Sequence, residues 1–198
     1  MSPRPIEFPV EGLTDGVIRV RLPADADAPR IVEACRDPDV GRYTTVPTPY
    51  QPSHTVEWMQ RGLAGLAAGT DVQTVIAEAD GSDVLGTMSL HEINRPASRC
   101  VAGYLVGPWA RGRGVAGRAL HLLCGFAFDE LRLARVEVTI EPGNTPSRAT
   151  AESVGFREEG LLRSYMAIAG ARRDMLMYSL LPGDLRRAGG AGDATLGG

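Results

Sequence analysis

The chain has 198 residues, 43% of them apolar, and a formal net charge of −3, which fits one domain with a substantial core and lacks the basic excess of a nucleic-acid binder. No apolar run approaches the roughly 18 residues of a membrane span, and Met1–Pro9 carries prolines and an acid where a secretory signal has an apolar stretch, so a cytoplasmic protein without membrane attachment is expected. All 21 basic residues are arginine, which excludes a phosphate-loop NTPase because that loop needs a lysine. Cys35, Cys100 and Cys124 are isolated, as are His54, His91 and His121, so neither a disulfide framework nor a metal site is expected.

In chain order, Val17–Leu22 alternates apolar with polar residues and reads as a strand ended by Pro23. Helical signals run from about Asp25 to Arg36, and Asp37-Pro38 marks a boundary. Residues 39–52, with Pro47, Pro49 and Pro52, read as a long loop of the kind that carries function. Ser53 is placed to cap the next helix, whose Val56, Met59, Leu63 and Leu66 recur at helical spacing and are expected in the core, with Trp58 as a packing residue. Residues 72–78 and 84–93 read as strands joined at Asp80-Gly81, and Asn94-Arg95-Pro96 turns the chain into a strand ending near Val106. A helix to about Arg132, a strand over 135–141 and a helix from Thr145 to a stop at Gly155 follow. The strands flanking the first of these helices should be parallel. Residues 156–168 and 172–181 form a final hairpin around Gly170, and 183–198 are expected to be a disordered tail rich in Gly and Ala.

The stretch Val101–Ala116 organises this pattern. A strand, a glycine-rich turn and a helix start leave several backbone N–H groups unpaired, and Arg111 and Arg113 add charge, so the turn suits a phosphate. Gly112, Gly114 and Gly117 spell the G-x-G-x-x-G of a dinucleotide-binding turn, with Glu137 near the place of its ribose-binding acid. Such a turn normally opens its domain directly after a strand, whereas about a hundred residues come first here and Pro108-Trp109-Ala110 intervenes.

The same residues spell Arg111-x-x-Gly114-x-Ala116, which resembles the pyrophosphate loop of GCN5-related N-acetyltransferases. Asn144-Thr145-Pro146-Ser147 followed by Gly155-Phe156 matches further landmarks of that family, and the resemblance is strongest to its RimJ/RimL branch. It covers roughly residues 15–182, leaving 1–14 as an N-terminal extension. The resemblance implies a bacterial enzyme with an α/β, three-layer fold: a mixed, mostly antiparallel twisted sheet, helices on both faces, and a central parallel strand pair splayed for acetyl-CoA. It implies that Leu105 and Val106 pair with pantetheine, that Arg111, Gly112, Arg113, Gly114, Val115 and Ala116 receive the pyrophosphate, and that Asn144 and Ser147 reach the pantetheine arm and its sulfur. No metal is implied. The acceptor is an amine, either a protein N-terminus or a small molecule, and a homodimer is allowed.

The branch commonly carries a glutamate where this chain has Val101, so His91, Glu92 and Glu137 are the candidates for accepting the amine proton, and Ser147 is the candidate beside the leaving thiolate. Adjacent strand residues point to opposite faces, so His91 and Glu92 cannot both face the acceptor. Tyr43, Tyr50, Gln51 and Tyr165 are the expected acceptor-binding residues. A non-catalytic acyl-CoA-binding module and a dinucleotide-dependent reductase are the alternatives.

Overall fold

A computed structural model describes residues 4–186. Its elements are β1 (Leu13–Thr14), β2 (Ile18–Arg21), α1 (Ala28–Cys35), α2 (Pro38–Tyr43), α3 (Pro52–Ala68), β3 (Val72–Glu78), β4 (Val84–Asn94), β5 (Arg99–Val106), α4 (Val115–Asp129), β6 (Arg135–Ile140), α5 (Thr145–Val154), β7 (Arg157–Ile168) and β8 (Ala171–Leu180). One eight-stranded sheet runs in the order β1-β2-β3-β4-β5-β6-β8-β7, antiparallel except for the β5–β6 pair. Alternation on the strands divides the core between the faces. Residues such as Ile18, Val20, Ile76, Val136 and Val138 pack with α4, while Val75 and Val84 pack with Ile31, Cys35 and Tyr50 on the other side. The mixed sheet with helices on both faces is the architecture the resemblance implies.

The parallel pair is short. Arg99, Cys100 and Val101 pair with Arg135, Val136 and Glu137, and the ladder stops there, although β5 continues to Val106 on its other edge against β4. The strands therefore separate, and the β6-facing edge of β5 is left for another hydrogen-bonding partner.

Several expectations change. The chain past Asp37 is not all loop: the Asp37 carboxylate accepts from the Asp39 N–H, Pro38 occupies the first turn, and α2 forms through Tyr43. Ser53 does not cap α3; Gln51 is the N-cap residue, and its N–H donates to His54 Nδ1. The contact face of α3 is also rotated from its apolar stripe. Thr55, Gly62 and Gly65 are buried, whereas Val56 and Leu63 are 50% and 66% exposed. A Cβ on Gly65 would lie 2.5 Å from Asp71 Cβ, so the glycines permit an approach that larger residues would block.

The chain ends are more integral than their composition suggests. Ile6 and Phe8 are buried, the Ile6 N–H donates to Leu66 O, and the Phe8 ring packs 5.0 Å from Phe126. At the other end, the Arg186 N–H donates to Val154 O, and Arg157 pairs with Asp184, so residues 183–186 lie against the end of α5. The rest of the expected tail lies outside the described residues. No helix among the described residues is long and apolar enough to cross a membrane.

Candidate functional site

Two concavities meet where β5 and β6 part. The first is a groove of about 550 Å³ bordered by Leu105, Val106, Arg111, Gly112, Gly114, Val115 and Ala116, with Asp39, Pro146 and Thr150 beside them. Gly112 and Gly114 have φ of 74° and 71°, a conformation that favours glycine, and nothing lies within 4 Å of a Cβ built on either. Gly114 is the N-cap of α4 and makes no side-chain cap, so the first-turn N–H groups lack intrahelical partners where residues 114–117 border the groove, and the helix dipole adds positive potential. The loop is anchored behind by Trp109, whose Nε1 donates to Val84 O and whose ring fills the space a Cβ on Gly107 would need.

The arginines of this loop are not free cations. Arg111 pairs with Asp37 at 2.7 Å and Asp39 at 3.3 Å, and its guanidinium holds the Asp37 carboxyl below the usual carboxylate range. Arg113 pairs with Glu78 at 2.9 Å and does not border the groove. The positive potential of the loop therefore comes first from its backbone amides.

The second concavity, about 610 Å³, lies between the sheet and the layer formed by α1, the segment after α2, and α3. Thr87, Ser89 and His91 of β4, Val101, Gly103 and Leu105 of β5, and Thr139 and Glu141 line its floor; Glu57, Trp58 and Arg61 of α3 face them. It shares Tyr43, Thr44, Tyr104, Leu105, Asn144 and Ser147 with the groove, so the two volumes join at the start of α5.

That junction is built by local capping. Asn144 Oδ1 accepts from the Ser147 N–H at 3.2 Å, a bond that typically contributes about 1 kcal/mol and leaves the Asn144 amide NH₂ for another partner. The Tyr104 hydroxyl lies 2.9 Å from Ser147 Oγ and donates to Ser147 O at 3.0 Å. Burial pushes the Tyr104 phenol up to about 12. Sequence reasoning placed Ser147 here and missed Tyr104, whose position directly after Gly103 on the splayed strand was the available signal.

Of the three candidate bases, only His91 borders the cavity. Desolvation lowers its pKa, against weaker opposing effects of Glu92 and Asp71, so it favours the neutral, proton-accepting form. Glu92 is removed by a bulge: β4 and β5 lose register between His91 and Asn94, Glu92 takes φ 53°, and its side chain is exposed. Glu137 is neutralised by Arg99 at 2.9 Å and Arg135 at 2.7 Å and lies outside the cavity lining. Both glutamates are thereby corrected as candidates for direct contact with an acceptor.

The expected acceptor residues also separate. Tyr43 and Tyr50 border the cavity, Tyr50 as a buried wall residue that accepts from the Thr55 hydroxyl. Gln51 is exposed at the α3 N-cap and lies outside the lining. Tyr165 is 49% exposed because register shifts between Leu162 and Met166, with Ser164 at φ 52°, leave Met166 as the β7 residue that reaches the cavity. Glu57, Arg61, Ser89 and Glu141 enter the site without a sequence signal of their own.

A family model described as the acetyltransferase (GNAT) domain matches residues 18–157. The chain is a GCN5-related N-acetyltransferase. Among relatives of this acetyltransferase, the N-acetyltransferase p20 of Bacillus licheniformis is 32% identical over 158 residues, covering 78% of this chain and 87% of p20. The L-amino acid N-acetyltransferase AaaT of Escherichia coli is 28% identical, covering 77% and 90% of the two chains. RimJ of Mycobacterium smegmatis, solved in complex with CoA-disulfide, superposes with a TM-score of 0.78 at 26% identity, covering 89% of this chain and 87% of RimJ. These neighbours support the RimJ/RimL-like branch for this acetyltransferase.

Proposed function

We propose that this acetyltransferase moves the acetyl group of acetyl-CoA directly onto a primary amine, and that the acceptor is an α-amine, either of a protein N-terminus or of a free amino acid. The observation that carries this reading is the junction of the two concavities at Tyr104, Asn144 and Ser147, which lets both substrates be present together with their reacting atoms adjacent. The similarity to RimJ and to AaaT supports the acceptor class.

The residues present fit acetyl-CoA. The amides of the Gly112–Ala116 turn receive the pyrophosphate, the unpaired edge of β5 at Leu105 and Val106 pairs with the pantetheine amides, and the Asn144 NH₂ donates to the same arm. An amine in the cavity then attacks the thioester carbonyl. It forms the C–N bond as the C–S bond breaks and must lose one proton, while the thiolate gains one. Neutral His91 accepts the amine proton, directly or through water. Ser147 Oγ, positioned by Tyr104, hydrogen-bonds the departing sulfur.

Acetyl-CoA turnover with a panel of peptide N-termini, L-amino acids, polyamines and aminoglycosides tests the reading. Acetylation of peptides or amino acids in preference to the other amines is the expected result. Binding of acetyl-CoA with no transfer to any amine would leave an acyl-CoA-binding module, and stabilisation by NADPH instead of acetyl-CoA would leave a reductase.

A further inference from the structure

Among the described residues, three buried side-chain atoms lack a hydrogen-bond partner: Gln73 Oε1, Arg95 Nε and Glu141 Oε2. Two have internal explanations. Gln73 also borders the cavity, but its Oε1 is an uncharged amide oxygen set 3.1 Å from where a Cβ on Gly62 would sit, under the closely approaching α3, and the Arg95 guanidinium still donates through Nη1 to Leu131 O outside the cavity. Glu141 Oε2 has neither excuse. Glu141 as a residue lines the cavity, just beyond β6 and beside Asn144 and Ser147, with Oε2 the more deeply set of its two carboxylate oxygens.

Two carboxylates, Glu137 on β6 and Glu141 directly after it, show the difference. Glu137 and Glu141 fall on the same side of the alternation that buries Val136, Val138 and Ile140 on the other. Glu137 is held by two arginines, whereas no arginine among the described residues lies within ion-pair distance of Glu141. The Glu141 backbone is nonetheless fixed, because its carbonyl accepts from the Asn144 N–H at 2.8 Å at the turn into α5. A carboxylate oxygen can only accept, so burying one without a donor is costly unless a donor arrives from outside, and a cationic donor satisfies it best.

We infer that Glu141 is the residue that holds the acceptor, as an ammonium ion, at the junction of the two concavities. This rests on the transferase reading and adds to it the charge state in which the amine enters: a primary ammonium, whose N–H groups bond the Glu141 carboxylate; one proton passes through His91 to solvent to free the lone pair, and the second leaves the nitrogen as the C–S bond breaks and balances the proton gained by the thiolate. Glu141 then governs acceptor affinity, and His91 governs proton removal. Because the ammonium contact exists in the ground state, its loss should appear in KM more than in kcat.

The test uses L-alaninamide, a primary ammonium with no carboxylate, titrated by calorimetry into the full-length protein saturated with CoA, which carries no acetyl group to transfer. Wild type should bind the probe, and Glu141→Gln should weaken binding at least tenfold while leaving the melting temperature and acetyl-CoA affinity unchanged. Glu141→Asp, which keeps the charge on a shorter arm, should recover part of the loss and also guards against a folding artefact of the first variant. Equal probe binding by wild type and Glu141→Gln, a wild type that does not bind it, or an equal loss of acetyl-CoA affinity would each overturn the assignment. A wild type that binds the probe through Glu141 yet acetylates no amine would break the transferase reading alone. Turnover in which Glu141→Gln keeps its amine KM would break this inference alone.

Discussion

The groove and the cavity that meet at Ser147 are built from different materials. The groove is mainly backbone: two glycines at positive φ, the first turn of α4, and one edge of β5. The cavity is mainly side chains contributed by α1, α3, the segment between α2 and α3, strands β3 to β8 and the turn after β6. A backbone site recognises what every cofactor molecule shares, a pyrophosphate and two amides, and tolerates few changes. A side-chain site can be altered one residue at a time without disturbing the fold.

The sharpest break of that contrast is Gly114→Glu. The variant forces a side chain onto a left-handed residue and puts a carboxylate in the anion cradle, so acetyl-CoA binding should be abolished. Acetyl-CoA at a hundred times its Kd should stabilise wild type by about 2.7 kcal/mol, and a thermal-shift assay should show no such gain in the variant.

His91→Asn comes next and probes the cavity. If His91 accepts the proton, kcat/KM should fall about a hundredfold with acetyl-CoA affinity intact. The pH dependence has a definite sign: desolvation lowers the His91 pKa from 6.5, so the acid limb of the wild-type kcat/KM profile should lie below pH 6.5 and vanish in the variant. Stability follows the same direction. Because the unfolded chain binds this proton more readily, stability should fall as pH drops from 6.5 through the folded-state value, and less so in His91→Asn. An acid limb unchanged by the substitution would assign the proton to another group.

Ser147→Ala tests the boundary between the two regions. It should lower kcat by about ten- to a hundredfold with little change in acetyl-CoA affinity. A variant that only melts earlier would reduce Ser147 to its place in the first turn of α5, where its N–H already serves the Asn144 cap. The smallest effects belong to Gln51→Ala and Tyr165→Ala, outside the cavity lining, which should each change the KM for any acceptor less than about twofold.

This division also explains what could be read from the sequence. Gly112, Gly114 and Gly155 were legible because a positive φ there admits few residue types, Asn144 because its side chain caps α5, and the strand and helix order followed from hydrophobic period. The cavity was not legible, since nothing local in Glu57, Ser89 or Glu141 announces that the fold will bring them together. Bulges, which no local signal marked, turned Glu92 and Tyr165 out to solvent. On α3 the apolar spacing pointed to Val56 and Leu63, but the closest packing was achieved by residues with no side chain at all.

Those α3 glycines set the height of the acceptor chamber. Gly62 and Gly65 rest on Gln73 and Asp71, and the same helix carries Glu57, Trp58 and Arg61 as the opposite wall. A methyl group added to Gly65 would fall 2.5 Å from Asp71 Cβ, closer than side chains approach, so the helix would have to lift from the sheet by a fraction of an ångström. Substrate range in this enzyme is thus open to drift through positions that no acceptor ever touches: descendants could admit bulkier amines by a change buried behind the wall, with the cofactor cradle and every reacting group inherited intact.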